Sequence, residues 1–199
     1  MAQTEAKQEQ WYCFSNEIPA GQTIRQVIDE IARQPGIRFV AQFTGDYKIF
    51  VAAEFDALEE LQSAIAQNYG PAGLSSQWVK LDQSSQIEAP KRGSPDYCAM
   101  VRVRTDDDPE EVLAAIDDRF RDRYQQDDPD HHLFSYGACT VVPGPDFQIL
   151  VDLGADSLQE VIRTAKVDLR AVEGVLPSIS MSTSFLPGNA KRPGNPDES

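Results

Sequence analysis

Asp46-Tyr47-Lys48-Ile49-Phe50-Val51 returns further along the chain as Asp146-Phe147-Gln148-Ile149-Leu150-Val151. Without a gap, Asp56-Ala57-Leu58-Glu59-Glu60-Leu61 returns as Asp156-Ser157-Leu158-Gln159-Glu160-Val161 at the same offset. Similarity at a fixed spacing is the mark of a duplicated unit. Upstream, Tyr12-Cys13 matches Tyr97-Cys98, and Val27 and Ile31 match Val112 and Ile116, at a smaller offset. On that match Cys13 and Cys98 are equivalent positions. The change of offset predicts an insertion of about fifteen residues between the first helix and second strand of the second half. An acidic stretch near residues 121–131 fills it. Downstream, Gly73-Leu74 aligns with Gly174-Val175.

Each half yields the same string of elements. In the first, Gln10 to Glu17 reads as an aromatic-rich strand. Thr23-x-x-Gln26 is a capping box, and Ile24, Val27, Ile28 and Ile31 then share one helical face until Pro35-Gly36. Ile37 to Thr44 and Lys48 to Phe55 read as strands around a tight turn at Gly45-Asp46. Asp56 opens a second helix carrying Leu58, Leu61 and Ile65, and a last strand runs from Leu74 to Leu81. In the second half Tyr97 to Arg104 is a strand, and Asp108-Pro109 starts a helix with Val112, Leu113, Ile116 and Phe120 inward. His132 to Val142 and Phe147 to Leu153 are strands, Asp156-x-x-Gln159 caps the next helix, and Val175 to Phe185 closes the unit.

This pattern predicts an α+β fold of two ferredoxin-like β-α-β-β-α-β repeats. The first spans residues 10–82 and the second 96–186, with a polar linker at 83–95 and a disordered tail at 187–199. A sheet with helices on one face leaves its other face to be covered. Two units on one chain can cover each other, so an intramolecular pair resembling a dimeric α/β barrel is expected.

Composition narrows the function. A formal charge of −14 repels phosphate backbones and anionic head groups, so direct nucleic-acid and membrane partners are not expected. Between Asp106 and Asp130 eleven carboxylates face three arginines, a local balance of −8. No apolar run reaches the length of a membrane span, and MAQTEAKQEQ lacks the plan of a signal peptide. Three cysteines in apolar strand contexts suit a reducing compartment, so a cytoplasmic location is expected.

Few residues carry a recognisable chemistry. His131 and His132 neighbour Asp127, Asp128 and Asp130, but adjacent strand residues point to opposite faces and rarely share one ion. No metal, cofactor or catalytic residue is expected. The cysteines lack CxxC spacing and a basic neighbour, which makes them core residues first. Asp46 and Asp146 are turn formers before they are ligands. Arg102 and Arg104 share a strand face where a carboxylate could meet them, or where they could neutralise the acidic insertion.

The run Pro35-Gly36-Ile37, Thr44-Gly45-Asp46-Tyr47-Lys48-Ile49-Phe50-Val51 and Leu58-Glu59-Glu60-Leu61 resembles the ligand-binding half of Lrp/AsnC regulators. Glu173-Gly174-Val175 with Ser178, Ser180 and Thr183 resembles that family's closing strand. The resemblance implies a ferredoxin-like unit that dimerises through its sheet and binds an amino-acid-like effector near the turn. Carried over, the ligand-binding positions are Gly45, Asp46, Tyr47, Asp146, Phe147, Ser178 and Ser180. The family's tyrosine–aspartate pair is Tyr47-Lys48 and Phe147-Gln148 here, so the carboxylate that would orient an amino group is missing from both. The family's helix-turn-helix has no counterpart in the polar residues before the first strand. The expectation is a stand-alone effector-binding or regulatory module in transcription regulation, not an enzyme, with a small-molecule effector, self-association or an Lrp-like protein as partner. The alternatives are a structural adaptor and an α/β-barrel monooxygenase-type enzyme, whose only candidate residues are Asn16, Trp78 and His132.

Overall fold

Thr23 and Gln26 form the reciprocal cap expected of them. The Gln26 amide donates to Thr23 Oγ1 at 3.3 Å, and the Thr23 amide donates to Gln26 Oε1 at 2.8 Å. This fixes the start of α1, Ile24–Ile31, and turns Val27, Ile28 and Ile31 into the sheet. The computed structural model describes residues 9–16, 18–34, 36–55, 63, 77–87, 95–125, 133–141, 147–185 and 190–191. Two compact units emerge, each described by itself.

In the first unit β1 (Glu9–Ser15) pairs with β4 (Ile49–Phe55), and β4 pairs with β2 (Ile37–Gln42). The start of β5 (Gln77–Ile87) lies on the other side of β1, and β10 (Ala190–Lys191) adds to β2. All pairs are antiparallel. Trp11, Cys13, Val40, Ile49 and Val51 pack with α1 to make the core. The second helix expected from Asp56 lies outside the described residues, Ser63 apart.

The second unit repeats the strand order. β6 (Tyr97–Val103) lies between β8 (Ile149–Ala155) and β9 (Ser180–Phe185), and β7 (Leu133–Val141) lies outside β8. Helix α2 (Pro109–Gln125) opens where expected, with the Glu110 amide donating to Asp108 Oδ1 at 2.8 Å. Its stripe of Val112, Leu113, Ile116 and Phe120 is buried against the sheet. Helix α3 (Leu158–Arg163) is capped by Ser157 rather than Asp156, because the Ser157 hydroxyl accepts from the Glu160 amide. A π turn over Thr164–Asp168 and a 3-10 turn over Leu169–Ala171 follow. The described fold is therefore α+β, with two antiparallel sheets and three described helices, consistent with the ferredoxin-like class.

Five further expectations change. β2 and β4 are not joined by a two-residue hairpin turn. Phe43–Asp46 groups with the second unit, where β3 (Thr44–Gly45) pairs with Ser182 and Thr183 of β9. Residues 83–87, expected in a linker, continue β5 and pair with β7, since a backbone ladder accepts polar side chains. Residues 121–125, expected in the acidic insertion, are the last turn of α2. Residues 190–191 of the expected tail form β10. Finally, the backbone hydrogen bonds Lys48 N to Ser15 O and Gln148 N to Val103 O are counterparts. Ile49 and Ile149 face Ser15 and Val103 in turn, so Cys13 corresponds to Val101 and not to Cys98.

Candidate functional site

Strand alternation divides each sheet into a face toward the helices and a face away from them. In the second unit Ala99, Val101, Val103, Ile149, Val151 and Leu153 belong to the helix-side core. That core is filled: Phe120 stacks on Tyr136 at 4.6 Å, and the Tyr136 hydroxyl donates to Asp117 at 2.6 Å. Cys98, Met100 and Arg102 therefore point the other way, beside Asp152 and Cys139. Polar chemistry collects on this helix-free face.

Asp152 sits at its centre. The register places it directly between Met100 of β6 and Gly137 of β7. Burial pushes its carboxyl up to about 6 from an ordinary value of 3.8. Burial also raises both thiols, with the Asp152 charge adding to it; Cys139 reaches about 12. Cys98 and Cys139 therefore stay protonated at neutral pH and act as small apolar groups. Cys139 Sγ donates weakly to the Leu150 carbonyl at 3.8 Å.

A second polar group occupies the β9 side of the same face. Arg102 of β6 donates to the Ser180 hydroxyl, pairs with the Asp46 carboxylate at 3.5 Å, and lies 5.5 Å above the Phe147 ring. The Ser180 hydroxyl in turn donates to Asp46. The Arg102 side chain is 13% exposed against 52% for Asp46, so a shielded cation is held by an exposed anion.

Four of the sequence-predicted ligand residues thus meet: Gly45 and Asp46 at the end of β3, with Phe147 and Ser180 around Arg102. Tyr47 does not join them. It belongs to the first unit and packs on Phe14 at 5.2 Å. Ser178 is exposed ahead of β9, and Asp146 lies outside the described residues, as do His131 and His132. Asn16 is exposed, and Trp78 pairs through its backbone with Cys13. Among the described residues no group of three or more His, Cys, Asp or Glu side chains is placed to hold a metal ion.

Asp152 was missed by motif and visible by context. It is the one charged residue in the run Ile149-Leu150-Val151-Asp152-Leu153-Gly154-Ala155, and six of its seven residues are buried. A carboxyl amid such a strand is a functional signal in its own right.

The first unit supplies the contrast. Counterparts of Met100, Asp152 and Gly137 are Tyr12, Ala52 and Phe39, which stand opposite one another in the same register. There the helix-free face is filled by rings: Phe50 meets Tyr12 at 5.0 Å, Phe14 at 5.3 Å and Phe39 at 6.1 Å. Alanine replaces the carboxyl and phenylalanine replaces the glycine.

Solved structures similar in fold include proteins named as oxidase-like, monooxygenase and chlorite dismutase. An anthrone oxidase-like protein matches with a TM-score of 0.57 at 13% identity, over 98% of this chain and 96% of its own. A protein provisionally named a monooxygenase, from Lactobacillus acidophilus, matches with a TM-score of 0.54 at 11% identity, over 88% and 92%. Chlorite dismutase from Candidatus Nitrospira defluvii matches with a TM-score of 0.53 at 10% identity, over 90% and 92%. No protein-family model matches the sequence, and no curated protein matches it.

These likenesses are of fold, and they overturn the resemblance to Lrp/AsnC regulators. The glycine–aspartate turn and the leucine-rich helix that carried it meet general needs of a β-α-β-β-α-β unit. The expectations of transcription regulation and of a non-enzyme are corrected with it, since the neighbours are named as an oxidase-like protein, a monooxygenase and a dismutase. No described helix is long and apolar enough to cross a membrane.

Proposed function

We propose that this chain is an oxygen-using enzyme of the monooxygenase-like α/β-barrel class, acting on a small organic substrate, with Asp152 as its proton-accepting group. The observation that carries the reading is Asp152 itself, a carboxyl set centrally in a largely buried sheet face with its pKa pushed up to about 6. Such a group is ionised at neutral pH yet is a stronger base than an ordinary carboxylate, as proton abstraction requires. The names of two structural neighbours, an oxidase-like protein and a monooxygenase, support the reaction class. Their coverage supports a pair of ferredoxin-like repeats acting as one barrel within a single chain, since nearly the whole anthrone oxidase-like chain is matched.

An oxygen electrode tests the proposal. Purified full-length protein is screened against anthrone and related hydroxylated aromatics, with Asp152→Asn in parallel. Substrate-dependent oxygen uptake is expected, rising with pH through about 6 as Asp152 ionises. In D152N it should fall by about 100-fold or more, the usual worth of a general base. No uptake with any of these substrates, or an equally active D152N, would rule the reading out.

A further inference from the structure

Arg102 stands where the first unit carries no charge. Val101 and Cys13 are counterparts, as are Gln148 and Lys48, so Arg102 corresponds to Phe14 and Phe147 to Tyr47. In the first unit two rings meet at this place, Phe14 on Tyr47 at 5.2 Å. In the second a guanidinium lies 5.5 Å above the Phe147 ring. An apolar side chain therefore satisfies the fold at this strand position, and the cation is an addition to it. A charge shielded from water is tolerated only with a partner of opposite sign.

The partner in place is a carboxylate of the same chain, and it is lightly anchored. Asp46 follows β3, whose ladder to β9 is two residue pairs, Thr44 with Thr183 and Gly45 with Ser182. Its 3.5 Å contact with Arg102 is longer than the roughly 2.7–2.9 Å of a well-made arginine–carboxylate bond. The Asp46 side chain is exposed, so it can turn into solvent without opening the core. Arg102 and Ser180 belong to β6 and β9 and would stay behind. Both donate to one atom, Asp46 Oδ2, so the guanidinium and the hydroxyl converge on the place of a single carboxylate oxygen.

We infer that Arg102 and Ser180 form a carboxylate-binding site, closed in this structure by Asp46 as a displaceable internal stand-in. The ligand is a small monocarboxylate. Its head takes the position that the Asp46 carboxylate vacates, and the rest of it extends into solvent, where Asp46 is already exposed. No interior space is required. A multiply charged phosphate is disfavoured by the field of a chain of net charge −14. The site does not draw on the enzyme reading and stands or falls apart from it.

Acetate, titrated into the intact protein against sodium chloride at constant ionic strength, tests the site. The readouts are the Arg102 Nε–H resonance in nitrogen-15 NMR and the Tm. Asp46→Asn removes the competing charge and should bind acetate saturably, at least about tenfold more tightly than wild type, because a hydrogen bond to a charged group no longer has to be displaced. Acetate should also raise the Tm of D46N by mass action, and that gain should vanish when Arg102→Gln is added. Asp46→Ser should behave as D46N does, and it decides the matter if D46N does not fold. No saturable shift in either Asp46 variant would overturn the site and leave Asp46 and Arg102 as a fixed structural pair. Equal affinity in wild type and the Asp46 variants would overturn the stand-in role, and a Tm gain that survives R102Q would overturn the role of Arg102.

Discussion

Asp152 is held where its charge is disfavoured, and the protein must bear that in stability. Its folded pKa of about 6 lies above the ordinary 3.8, so the folded state binds the proton more tightly than the unfolded one. The sign follows: stability is greatest with respect to this group below about pH 4 and falls as pH rises through about 6. A tenfold change in proton affinity is worth about 1.4 kcal/mol, so the buried charge costs at most about 3 kcal/mol once Asp152 is fully ionised. D152N should therefore change Tm little at pH 4 and raise it by several degrees at pH 7.5. A Tm difference that does not vary between those two pH values would contradict the burial argument. A residue that lowers stability at working pH belongs with function, where stability and activity trade against each other.

At the scale of elements, β3 shows what a short strand can hold. Gly45 has φ +127°, and a Cβ there would come within 2.7 Å of the Met181 carbonyl oxygen and 3.1 Å of Ser182 Cα. Gly21, with φ +84°, has open space around the same added atom. Gly45→Ala should thus lose about 1–3 kcal/mol from strained backbone plus the clash, and Gly21→Ala clearly less. Amide exchange in G45A should quicken at Thr44 to Asp46 and along β9. Equal destabilisation by the two substitutions would mean that β3 does not dock closely on β9. Helix ends were legible in the sequence, because the Thr23 box and the Asp108-Pro109 start rest on chemistry local to a few residues. β3 was not, because two residues carry no periodicity and their partners, Ser182 and Thr183, lie far along the chain. The extension of β5 was hidden for another reason: Asp82 to Gln86 are polar, and composition alone reads such a run as linker.

At the scale of the molecule, the two units carry sheets of one strand order, and side-chain choice makes them different. The repeat anchored at Ile49 and Ile149 was legible because buried strand positions tolerate little change. The Tyr12-Cys13 match to Tyr97-Cys98 misled, since identity of two residue types outweighed register, which only the backbone pairing reveals. Once register is right, the asymmetry is plain: Tyr12, Ala52 and Phe39 in one unit, Met100, Asp152 and Gly137 in the other. The most direct test is the titration of Asp152 itself, followed by carbon NMR of its labelled carboxyl in the intact protein. A midpoint near 6 is the expected result. A midpoint near the ordinary 3.8 would contradict a functional site at Asp152.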